Sequence, residues 1–223
     1  SAELIVVYTV AELLAANYNI AQMKEGNVTA AELKAESKLV SHLKNDYTIA
    51  ELKVAYEIDE LLVDFTFAQL RTGGVTATEM KAAEKLASEL VGIYTVAELL
   101  AALYSISELK AACVSSTQLK AEQKTVADLK VDYSIVELKV PYTIDELLVD
   151  FTLSELRTGG VSAAEMKAAG KFASELLAVY SLAELLAGLY SIAELQAASV
   201  TSTQLKAEGK TVAELLGIYS VAE

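Results

Sequence analysis

Few side chains in this 223-residue sequence could carry chemistry, and each of them stands inside a pattern. His42, in VSHLK, is the only imidazole, and an imidazole can serve as general base or metal ligand. No second histidine or thiol pair supplies ligand spacing. His42 also fills a slot held elsewhere by Glu, Gln or Asp, so it reads as a drifted helix-capping residue. Cys113 is alone and forms no internal disulfide; it reads as a buried thiol at the small-residue end of a repeat. Asp59–Glu60 and Asp145–Glu146 are paired carboxylates 86 residues apart. Such pairs can do acid–base work, but acids also gather at helix N-termini, and capping is the simpler reading. The TGG stretches at 72–74 and 158–160 lack the lysine of a phosphate loop. The tyrosines could stack a ligand, yet one structural role explains every copy. No catalytic, cofactor-binding or metal residue is assigned, and no enzyme is expected.

Composition narrows the partners. Apolar residues make up 53% of the chain and the formal net charge is −13. Such acidity repels phosphate backbones and argues against nucleic acid. Residues 90–109 are apolar enough to raise the question of a membrane span. Glu98 stands in their middle, however, and Thr95 and Ser105 start new helices, whereas a span needs about twenty unbroken apolar residues. No basic leader with an apolar core opens the sequence, and nothing indicates a localisation.

The elements that hold these residues come from a repeat. YTIAELKVAY at 47 returns as YTVAELLAAN at 8, YTVAELLAAL at 94, YSIVELKVPY at 133 and YSLAELLAGL at 180. Aligned on the first residue, repeats begin at 8, 18, 28, 38, 47, 56, 65, 75, 85, 94, 104, 114, 124, 133, 142, 151, 161, 171, 180, 190, 200, 210 and 219, always nine or ten apart. All eleven tyrosines fall at position 1, and position 6 is Leu or Met throughout, from Leu13 to Leu215. Ser or Thr at position 2 with Glu at position 5, as in Thr48 and Glu51, spells a capping box. Tyr47 and Leu52 flank it as a hydrophobic staple. Each repeat is therefore one short capped helix, too short to be stable alone, and it must pack on other repeats.

A longer period overlies the first. Position 1 reads Y Y V K or Y Y F V K, in blocks of 39 and 47 residues, giving an 86-residue superrepeat. The expected fold is all-α, an α-solenoid of short capped helices in 9–10-residue repeats grouped in these blocks. It forms one continuous array over 1–223, with partial repeats at 1–7 and 219–223 and superrepeat blocks 47–132 and 133–218. Leu86, Phe172 and Leu39 stand where caps belong, so the repeats at 75 and 85 are expected to fuse into one helix over 76–91. The block length resembles that of armadillo or HEAT repeats, as architecture only. The phrase itself resembles short decapeptide helical arrays of the type [YF]-T-x-A-E-L-K-A-A-G, found in some microbial and algal sequences. That resemblance covers the whole chain and implies no activity. TVAELK is similar to the opening of the SAP DNA-binding motif, whose basic residues are missing here.

Position 7 varies with the superrepeat. It is basic in Lys53, Arg71, Lys110 and Arg157, as a solvent face should be, and Leu at 14, 62, 100, 148, 177, 186 and 216. Leu14, Leu62, Leu100, Leu148, Leu177, Leu186 and Leu216 are the candidate assembly interface, because an exposed apolar stripe marks a contact surface. Alternatively these leucines point inward. The chain begins mid-repeat at SAEL and stops mid-repeat at YSVAE, which fits end-to-end stacking or a piece of a longer array. The expectation is a structural protein that assembles with itself into a scaffold or filament; the alternative is a solenoid that binds other proteins as an adaptor. No cofactor is expected.

Overall fold

The computed structural model describes residues 7–220. Among them are 22 helices and no strand, and no helix exceeds six residues. Residues up to Val114 and residues from Ser115 onward form two compact segments. Each is an α-solenoid of short helices.

Capping starts every helix. Thr48 adopts an extended backbone, its hydroxyl accepts from the Glu51 N–H, and Glu51 accepts from the Thr48 N–H at 2.7 Å. The same reciprocal bonds recur at Thr95 and Ser191. Four repeats lack the side-chain half. At Leu39, Glu57, Leu86 and Phe172 only the backbone N–H is held, by His42, Glu60, Glu89 and Glu175.

Repeat length decides how each helix ends. Ten-residue repeats carry six-residue helices and close on a left-handed residue: Asn17, Asn27, Glu84, Leu103, Gly160 and Leu189 are examples. Nine-residue repeats omit that residue and shorten the helix to four or five, as in Ile49–Leu52 and Ile58–Leu62. At Gly92 and Gly217 a third ending occurs: an extended residue precedes a glycine at φ 88°, where any Cβ would be strained. All three endings deliver the same junction. The N–H of the next position 1 donates to the position-6 carbonyl, Tyr18 to Leu13 in a ten-residue repeat and Tyr47 to Leu43 in a nine-residue one. The position-6 side chain is buried in every described repeat but the one at 210, where Leu215 is half-buried.

Helices stack on the next but one. Ala87–Leu90 packs on Ile106–Ala111, and Ala163–Ala168 on Leu182–Ala187. Two repeats therefore make one coil of the solenoid. Position-1 tyrosines record the spacing: Tyr47 donates its hydroxyl to the Val28 carbonyl, Tyr56 to Lys38, Tyr94 to Val75 and Tyr180 to Val161, always two repeats back.

The structure corrects two expectations, the fused helix and the buried cysteine. Residues 76–91 are two helices, Ala77–Ala82 and Ala87–Leu90, separated by Glu84 at φ 56°. The tenth residue of the repeat forces that break, and Leu86 still acts as a cap by its extended backbone. The fundamental stack is thus the two-repeat coil, not a block ending in a long helix. Cys113 is exposed, since its left-handed turn position throws the side chain outward. Residues 90–109 are divided among short helices, and no described helix is long and apolar enough to cross a membrane.

Candidate functional site

The turns between helices hold the chain's charged and aromatic groups. Around Tyr94, Arg71 from three repeats earlier donates to the Ile93 carbonyl, pairs with both Glu98 oxygens at 3.1–3.2 Å, and lies 5.4 Å from the Tyr94 ring centre. Lys24 treats Tyr47 and Glu51 alike, and Lys120, Arg157 and Lys167 do so at Tyr142, Tyr180 and Tyr190. Each such clasp ties position 7 of one repeat to positions 1 and 5 of the third repeat onward. Its electrostatics follow. The hydrogen bond from Lys24, helped by the Thr48 amide, lowers Glu51 to about 2, and Lys81 lowers Glu108 to about 2. Burial raises the Tyr47 and Tyr94 hydroxyls to about 12.

Position 7 is therefore a partner of the next coil rather than a plain solvent face. Where the residue three repeats on is Lys instead of Tyr, position 7 is Leu: Leu14 stands in register with Lys38, Leu62 with Lys85, Leu148 with Lys171 and Leu186 with Lys210. Of the candidate interface leucines, Leu14, Leu62, Leu100, Leu148, Leu177 and Leu186 are half-buried; only Leu216 is exposed. Leu4, the apolar position of the partial first repeat, lies outside the described residues.

The other sequence candidates find structural partners. His42 Nδ1 accepts the Leu39 N–H at 3.1 Å, doing the work of the usual carboxylate. Glu60 and Glu146 cap their helices, while Asp59 and Asp145 pair across the coil with Lys85 and Lys171. Among the described residues no group of His, Cys, Asp and Glu could hold a metal ion.

Sequence reading missed a second feature. Within each segment, exposed large apolar residues recur along an edge of the coils. In the first segment these are Val63, Leu86 and Leu103; in the second they are Val131, Val149, Phe172 and Leu189. The turns that carry them lie on successive coils. Tyr104 over Lys85 and Tyr190 over Lys171 fix that register, as does Lys130 with Asp150. The signal lay in the sequence as Leu at position 10 and Leu or Phe at position 2, where the fold calls for neither.

No protein-family model, no curated protein and no solved structure matches this chain.

Proposed function

We propose that this chain is a structural protein whose repeat solenoid associates with other copies to build a scaffold or filament. It is read as one of the short-helix decapeptide arrays that its [YF]-T-x-A-E-L phrase resembles. One observation carries the proposal. Exposed apolar residues without a core role recur at the superrepeat interval: Val54 and Val140, Val63 and Val149, Leu86 and Phe172, Leu103 and Leu189. A surface presented twice suits a partner that is itself repetitive. A tailored groove for one foreign ligand, the adaptor reading, calls for residues that do not repeat. No enzyme activity, cofactor or nucleic acid enters this reading.

Light scattering coupled to size-exclusion chromatography over a dilution series tests it. Self-association predicts a mass that rises with concentration, and rises further with added salt, which screens repulsion between acidic chains. A monomer mass at every concentration and salt level favours the adaptor reading instead.

A further inference from the structure

We propose that two edges, one bearing Val63, Leu86 and Leu103 in the first segment and one bearing Val149, Phe172 and Leu189 in the second, are each a surface on which a second copy of this chain docks. The inference rests on the self-association reading above and gives it a location.

None of these side chains serves the fold that carries it. Leu103 and Leu189 are left-handed, at φ 65° and 64°, and are 82% and 79% exposed. The backbone there favours Gly or Asn, and other repeats use Asn17, Asn27 and Gly209. A leucine accepts the strain and buries nothing within the chain. Leu86 and Phe172 replace the capping hydroxyl, so the Glu89 and Glu175 amides lose a side-chain acceptor that Thr125 and Thr211 supply at their equivalents. At four positions, then, local stability is given up for an exposed apolar group.

Spacing and charge identify the occupant. The three rungs are separated by the same 23 and 17 residues in both segments. The chain thus offers one ladder twice, and a second copy brings a ladder of matching pitch, as a self-complementary contact requires. The chain carries 31 acidic and 18 basic residues, so copies repel over most of their surface. Beside each ladder two acids are neutralised within the chain. Asp64 pairs with Lys44, Asp59 with Lys85, Asp150 with Lys130 and Asp145 with Lys171. An apolar ladder framed by internal ion pairs is where two acidic copies approach at least electrostatic cost.

The test is a variant that mends the fold while removing two of the three rungs of each ladder: Leu86→Thr, Leu103→Asn, Phe172→Thr and Leu189→Asn together in the full chain. Each new residue is one the array already uses at that position. The expected result is an unchanged or raised melting temperature, with self-association weakened by about tenfold or more in sedimentation equilibrium, in the manner of a lost interface anchor. If wild type associates and the variant associates equally, these edges are not the interface, although the self-association reading stands. A variant that melts well below wild type would show that the four residues serve the fold, which also overturns the proposal. If wild type is monomeric throughout, both readings fall.

Discussion

Two neighbouring turns of the first segment solve one problem differently. At Tyr94 the turn is clasped: a phenol reaches the carbonyl of Val75 one coil away, and Arg71 binds ring, carboxylate and carbonyl together. At Lys85 the turn has no aromatic. Leu62 stands in register with it, Asp59 takes its ammonium, and Leu86 beside it faces solvent. Both turns dock the position-1 amide on a buried carbonyl, that of Leu90 in one case and Met80 in the other. The shared part sets the helix stack. The differing part decides whether a turn's apolar and ionic groups are spent inside the chain or left at its surface.

Removing the shared part should have the largest effect and should abolish the distinction. Leu90→Ala and Met80→Ala each empty a fully buried site and should cost about 2–5 kcal/mol in denaturant unfolding. If one cost nearly nothing, the two turns would not share a core. Tyr94→Phe comes next, leaving the buried Val75 carbonyl without its donor at about 1–3 kcal/mol. Its counterpart, Lys85→Met, keeps the half-buried stem, removes an ion pair whose Asp59 end is open to solvent, and should cost under about 1 kcal/mol. Equal losses would erase the contrast between clasped and open turns.

Acidity probes the clasps together with the capping bonds that share their carboxylates. Glu51, Glu108, Glu184 and Glu194 are held at about 2 in the fold against an ordinary 4.5. Their contribution is complete above pH 4.5 and is lost as the pH falls toward about 2. In the alkaline direction Tyr47 and Tyr94 keep their protons to about 12, so their contribution fades as the pH rises from 10 to about 12. A thermal-melting profile flat across both windows would mean the clasps carry no stability. The strained turn should respond with the opposite sign: Leu103→Asn should stabilise by about 1 kcal/mol by relieving the left-handed leucine. A loss at that position would show leucine making a contact that the fold needs.

What was legible in the sequence was what lies within one repeat. Thr48 with Glu51 and Tyr47 with Leu52 are three and five residues apart, and their chemistry is complete at that range. The clasps were not legible, because Arg71 and Glu98 meet only once two repeats are known to make a coil. The fused helix was a misreading of Glu84, a residue type that does not announce a left-handed turn; the length of its repeat, ten and not nine, carried that information. The position-7 leucines showed their phase but not their half-burial, which again belongs to the next coil.

The interchangeable helix endings have a consequence at the level of the gene. Losing one codon from the end of a repeat removes a left-handed residue and trims a helix, yet the following amide still lands on the same leucine carbonyl. A single-codon deletion, which inside a long helix or a strand shifts the later residues of that element to another face, is here absorbed within the repeat where it falls. Such an array can be copied, lengthened and trimmed by ordinary replication slippage while each surviving repeat keeps its partners.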